Sequence, residues 1–140
     1  MRHLLAVLVL RLTRLTNVVG GSAPVPPDPA YLRFQDAVER GFARSRRVED
    51  YARALGYSPR TLSRATRSSV GAGAKEFIDR RVMLEAKRLL AHSDQSATQI
   101  AVRLGFPSAT NFNKYFHQRA GQTPLAFRAT VRGGTPLPTA

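Results

Sequence analysis

VEDYARALGY at Val48–Tyr57 and ATQIAVRLGF at Ala97–Phe106 are two copies of one pattern, and their reading decides the fold. Val48, Tyr51, Ala52, Leu55, Gly56 and Tyr57 answer to Ala97, Ile100, Ala101, Leu104, Gly105 and Phe106 at an offset of 49. The offset becomes 50 at Ser58 and Ser108. It stays 50 at Leu62 and Phe112, Arg64 and Lys114, Gly71 and Gly121, Phe77 and Phe127, so one residue is inserted beside the turn. In each copy the apolar residues fall at i, i+3, i+4 and i+7, the stripe a short helix shows on its buried face. Glycine then ends the helix where a positive φ is cheap, an aromatic plugs the corner, and Ser58 or Ser108 offers a hydroxyl to cap the next helix. Pro59 suits the first helical position. The simplest unit with these parts is a helix-turn-helix, present twice.

Working outward, the chain reads as all-α with about seven helices. Tyr31 to Phe42 is the first, with Leu32, Phe34, Val38 and Phe42 as apolar contacts. Residues 48–56 and 59–69 form the first helix-turn-helix, and 97–104 with 109–119 form the second. Between them Gly71 to Gly73 breaks the chain, after which Ala74 to Ala91 can run as one long helix whose buried stripe is Ile78, Val82, Ala86, Leu89 and Leu90. At about 1.5 Å per residue it spans on the order of 26 Å. Ser96 with Gln99 is a capping box, and Thr123-Pro124 starts a last short helix carrying Leu125 and Phe127.

Composition indicates what such units would touch. A formal charge of +13 on 140 residues cannot be neutralised by nine carboxylates, so the surface carries a field that favours polyanions. Nucleic acid is the leading partner and an anionic membrane the second. Lysine occurs only at 75, 87 and 114, so most of the charge is guanidinium, whose planar fork suits phosphate and guanine edges. Genomic base composition also enriches arginine, but it does not explain the net charge. Cysteine is absent, which excludes a disulfide framework and thiol chemistry. No run of about 18 to 20 apolar residues is present to span a membrane.

Residues 1–23 superficially resemble a secretory signal, with Arg2, an apolar run from Leu4 to Leu10 and Ala23 as a cleavage residue. Arg11 and Arg14 interrupt the region where such a signal has no charge. Leu5, Leu8, Leu12, Leu15 and Val19 step by 3, 4, 3, 4, the seam of an amphipathic helix. The expectation is a packing or dimerisation helix in residues 1–19, with Leu5, Leu8, Leu12 and Leu15 at a homodimer contact. A signal or membrane-surface segment and a disordered segment are the competing readings. Residues 20–30, rich in Pro and Gly, read as a linker, and 132–140 as a disordered tail.

The stretch from about Leu32 to Val131 resembles the AraC/XylS-type DNA-binding domain, two helix-turn-helix units joined by a long helix. The resemblance is carried by LGYSPRTLSR at Leu55–Arg64, LEAKRLL at Leu84–Leu90, QIAVRLGF at Gln99–Phe106, NFNKYF at Asn111–Phe116 and GQTPLAFR at Gly121–Arg128. It implies a cytoplasmic bacterial transcription regulator, with residues 31–131 as the domain, double-stranded DNA as partner, and RNA polymerase as a second partner if it activates. Both recognition helices would enter successive major-groove segments, about 34 Å apart on one face of the duplex. Members commonly carry an N-terminal sensor domain, and none fits in the first 30 residues. A short sensorless regulator and a piece of a longer product are both open at this point. Thr66 departs from the pattern, where an aromatic is usual and where the second copy has Phe116; Val82 replaces a frequent arginine. A less well packed first unit is expected from these departures.

Helical phase and motif position nominate the readers. On 59–69 Leu62, Ala65 and Thr66 face inward, leaving Arg60, Thr61, Ser63, Arg64 and Arg67 outward. On 109–119 Phe112, Tyr115 and Phe116 face inward, leaving Ala109, Thr110, Asn111, Asn113 and Lys114. Arginine suits guanine O6/N7 or phosphate, asparagine suits adenine, and Ala109 or Thr110 suits a thymine methyl. For each residue singly, a solvated polar face is the competing reading. Catalysis finds no support: His3, His92 and His117 lack metal-ligand spacing, Glu49-Asp50 reads as a helix N-terminal charge complement, and no phosphate loop follows a strand. No enzyme activity, cofactor, metal or membrane partner is expected. The aromatics sit on buried stripes, which disfavours an RNA-stacking platform. A secreted or membrane-surface cationic protein is the alternative from another class.

Overall fold

The structure is a computed structural model and describes residues 25–133. The predicted leucine-seam helix at 1–19, the first five residues of the linker and nearly all of the C-terminal tail lie outside the described residues. Within them the chain forms seven helices: α1 (Pro29–Gly41), α2 (Val48–Leu55), α3 (Pro59–Val70), α4 (Ala74–His92), α5 (Ala97–Arg103), α6 (Ala109–Ala120) and α7 (Pro124–Val131).

The helix ends follow local chemistry. Ser58, Ser108 and Thr123 each accept a hydrogen bond from the backbone N–H three residues on, and Ser96 with Gln99 closes a reciprocal capping box. Helix α1 begins at Pro29, two residues before the expected start, because the Asp28 carboxylate accepts from Ala30 N at 2.8 Å and proline needs no N–H partner in a first turn.

Helix α4 is the spine. Its 19 residues span about 28 Å, and Ala74, Ile78, Val82, Ala86, Leu89 and Leu90 on its inner stripe are almost completely buried. Met83 joins them, a residue the periodicity did not single out. Helices α1, α2 and α3 pack on one another and against α4, α5 packs on α6, and α7 packs on both α4 and α6. Phe34, Val38, Tyr51 and Leu62 of the first unit belong to one hydrophobic core with Ile100, Leu104, Phe112 and Phe116 of the second, and the α4 stripe runs through it.

Two apolar assignments change. Leu32 is 41% exposed, whereas Tyr31, Phe34 and Val38 are buried, since the inward face of α1 steps 31, 34, 38. Leu125 is 63% exposed, and α7 docks instead through Pro124, Phe127 and Arg128. The Arg128 guanidinium donates to the carbonyls of Leu90, Ser93 and Gln95, satisfying backbone acceptors that the end of α4 leaves open. Helix α1 is tied to α4 by a two-pronged ion pair, Arg81 to Glu39 at 2.7 and 2.9 Å.

Thr66 is fully buried, and its hydroxyl donates to the Leu62 carbonyl at 2.6 Å. Aromatic packing absent from position 66 comes from α1. Tyr31 and Phe34 meet Phe77 with ring centroids 5.8 and 5.5 Å apart, and Phe34 meets Tyr51 edge-on at 5.7 Å. Copying the second unit into the first, Thr66→Phe, should therefore destabilise the fold by about 1–3 kcal/mol through overpacking. Urea denaturation measures it, and a gain in stability would show a void where the packing leaves none.

Candidate nucleic-acid interface

Two helices, each entered through a serine cap and a tight turn, carry the nominated side chains. In α3 the buried positions are Leu62, Ala65 and Thr66, which turns Arg60, Arg64 and Arg67 to solvent. In α6 Phe112 and Phe116 are buried and Tyr115 is half-buried, which leaves Thr110, Asn111, Asn113 and Lys114 exposed. Ala109, Thr61 and Ser63 are half-buried. Thr61 is committed locally: its hydroxyl shares a 2.8 Å hydrogen bond with the Ser58 hydroxyl, and its N–H donates to the same oxygen.

Many of the arginines are paired within the protein. Arg40 pairs with Asp36, Arg80 with Glu76, Arg81 with Glu39, Arg88 with Glu85, Arg119 with Asp79 and Arg132 with Asp94. Arg128 is spent on backbone carbonyls. Among the described residues Arg60, Arg64 and Arg67 have no ion-pair or hydrogen-bond partner, and neither has Lys114. At spacings of four and three residues the three guanidiniums lie along one exposed face of α3. Together with Ser63 and Ser68 they line a shallow depression. A wider open groove beside it is bounded by Ser63 and Arg67 of α3, by Lys75, Asp79 and Arg80 on the first turns of α4, and by Arg119 of α6. Unpaired guanidiniums on a helix face are suited to anionic oxygens and purine edges, because nothing within the protein has to be given up when they bind.

The second unit is held differently. The Tyr115 hydroxyl, pushed well above the ordinary tyrosine range by burial and by the adjacent Asp79 carboxylate, stays protonated and donates to Asp79 Oδ1. Arg119 stacks on the same ring, its guanidinium carbon 3.6 Å from the centroid. Tyr115 was nominated as an inward apolar residue; its ring does pack on the core, but its polar end ties α6 to α4. Asp79 and Arg46, which the sequence pattern did not nominate, meet this cluster from α4 and from the loop after α1. No periodic signal marks them, since their partners lie tens of residues away.

Among the described residues no helix is long and apolar enough to cross a membrane, and no group of three His, Cys, Asp or Glu could hold a metal ion.

Comparison with known proteins bears on this geometry. A helix-turn-helix domain family matches residues 51–130. The regulatory protein PocR of Salmonella typhimurium is 30% identical over 116 residues, which are 83% of this chain and 38% of that protein. The HTH-type transcriptional activator RhaS of Citrobacter koseri is 29% identical over 127 residues, 91% of this chain and 45% of that one. The chain thus spans less than half the length of these relatives. Among solved structures, the DNA-binding domain of AdpA, a global transcriptional factor in complex with a target DNA, superposes with a TM-score of 0.64 at 32% identity, covering 75% of this chain and 94% of that one.

Proposed function

The chain belongs to the AraC-type family of helix-turn-helix transcription regulators, a DNA-binding and non-enzymatic family, and on that premise we propose that it reads two successive major-groove segments of duplex DNA with α3 and α6. The observation that carries this reading is the face of α3 on which Arg60, Arg64 and Arg67 stand together without an ion-pair or hydrogen-bond partner, while Arg80, Arg81, Arg88 and Arg119 are paired within the protein. Helix α6 presents a different chemistry, two asparagines and one lysine, so the two half-sites need not be alike. The AdpA domain was solved on its target DNA, which supports duplex DNA as the ligand class here. RhaS is an activator by name, and through that likeness RNA polymerase is the proposed second partner and the cytoplasm the proposed location. The alternative of a secreted or membrane-surface cationic protein finds no support in the matched family.

Base reading and phosphate positioning are separable. Arg64→Ala and Asn111→Ala are each expected to cost about 1–3 kcal/mol on a specific site and to relax base preference in different halves of it, whereas a lost phosphate contact weakens all sequences alike. Site selection from a random duplex pool by each variant decides it. Unchanged preferences in both would remove these two from the readers.

Self-association through Leu5, Leu8, Leu12 and Leu15 belongs to the same proposal, because an apolar stripe over two heptads is usually covered in small soluble proteins. Sedimentation of the full chain should show concentration-dependent dimers, and deletion of residues 1–24, which keeps the Asp28 cap of α1, should abolish them while DNA binding is retained. A full-length monomer at tens of micromolar would count against the seam.

A further inference from the structure

The two helix-turn-helix units are locked together by a polar and π-stacked junction beyond the shared core. Its centre is Asp79 on α4, whose side chain is only 14% exposed. One carboxylate receives three donors: Lys75 Nζ at 3.3 Å, the Tyr115 hydroxyl, and Arg119 Nη2 at 3.2 Å. Tyr115 and Arg119 are one turn apart on α6, so Asp79 grips that recognition helix at two points. Lys75 also donates to the Arg46 carbonyl at 2.9 Å, which carries the junction into the loop between α1 and α2. The Arg46 side chain then crosses to the second unit. Its guanidinium carbon lies 3.9 Å from the Phe106 ring centroid and 5.6 Å from that of Tyr115.

The contacts of Asp79 with Tyr115 and Arg119 and the stacking of Arg46 on Phe106 join the first unit and α4 to the second, and Lys75 braces Asp79 and the Arg46 loop from α4. None is needed to form either helix-turn-helix, whose caps and buried stripes are local. A carboxylate shielded from solvent and shared by several donors has a narrow range of acceptable geometries, because moving any donor leaves charge unpaired. A junction of this kind converts two tethered readers into a rigid pair.

We propose that Asp79 and Arg46 are positioning residues that hold α6 at a fixed distance and angle from α3, so that the chain engages its two DNA segments at one spacing only. This rests on the reading that α3 and α6 both enter the duplex. A rigid link makes the second contact intramolecular at the matching spacing and useless elsewhere, whereas a loosened link lowers the gain but spreads it over several spacings. Inserting one base pair moves the second segment by about 3.4 Å and turns it by about 35°.

The test uses the full chain and a two-segment duplex selected from a random pool by the wild-type protein, the same duplex with one base pair inserted between its segments, and a duplex keeping only one segment. Wild type should lose about 30-fold in affinity on insertion. Asp79→Asn and Arg46→Ala should bind the parent duplex about tenfold more weakly, yet lose less than about fivefold more on insertion, with single-segment affinity within about twofold of wild type. Tyr115→Phe, which removes only the hydroxyl, should move in the same direction by less. The ratio between spacings is insensitive to the fraction folded, so a variant that merely unfolds would keep the wild-type ratio. Wild-type discrimination retained by all three variants overturns the proposal, as does a wild type indifferent to the insertion. If wild type binds the single-segment duplex as tightly as the parent, it is the two-segment reading that fails, and this shows before any variant is made.

Discussion

Gly105→Ala is expected to be among the most damaging single substitutions in the chain, costing more than about 4 kcal/mol of folding stability, whereas Gly56→Ala at the equivalent turn should cost about 1–2 kcal/mol. Both glycines end a helix with a left-handed backbone, φ +80° and +76° respectively. An alanine pays for that conformation at either site. The surroundings separate the two. A Cβ at position 56 meets nothing within 4 Å, while at position 105 it would lie 2.0 Å from the Ala43 carbonyl oxygen. Backbone cannot swing aside as a flexible side chain can, so the methyl must push the loop after α1 away from the second unit. The same loop carries Arg46, so the damage should extend to the junction between units. Urea denaturation of the two variants compares them directly; equal costs would mean that the loop and the second turn are not pressed together.

Raising monovalent salt from 50 to 200 mM should weaken the duplex complex by on the order of 100-fold. Neutralising four phosphates gives a slope of about −3.6 in log affinity against log salt, and each further cation at the backbone steepens it by about 0.9. The net charge of +13 and the unpaired arginines of α3 make four a modest number. Part of the positive charge is already neutralised inside the protein, in pairs such as Arg81 with Glu39 and Arg88 with Glu85, and those cations should contribute little to the slope. Burial alone would push Glu85 up, but the adjacent Arg88 and Arg81 outweigh it and hold the carboxyl below its ordinary range, so that pairing persists at neutral pH. Fluorescence anisotropy titrations at several salt concentrations give the slope. An affinity that does not change over this range would defeat the DNA reading.

Much of the architecture was legible in the residues themselves. The tandem repeat, the serine caps at 58, 96 and 108, the long central helix and the inward faces of α3 and α6 all depend on contacts within a turn or so of the residue concerned. A periodic stripe has to be buried whatever buries it. Leu32 lies outside the 31, 34, 38 stripe of α1, and the Phe77 ring packs on Tyr31 along that stripe, so it is Tyr31 that turns inward. The nominated readers of α3 were found by helical phase, but phase could not tell a free arginine from an occupied one.

The sequence by itself determined two helix-turn-helix units, their caps, their buried stripes and an excess of arginine that had to face a polyanion, because these are set by residues at most four positions apart and by summed charge. Tertiary structure alone decided that Gly105 is pinched where its counterpart Gly56 is free, that Arg128 closes the end of α4, and that Asp79 gathers Tyr115 and Arg119 while Arg46 stacks on Phe106. Most of these outcomes depend on partners tens of residues away, and such partners leave no period in the chain; they meet only when both units close on the same helix.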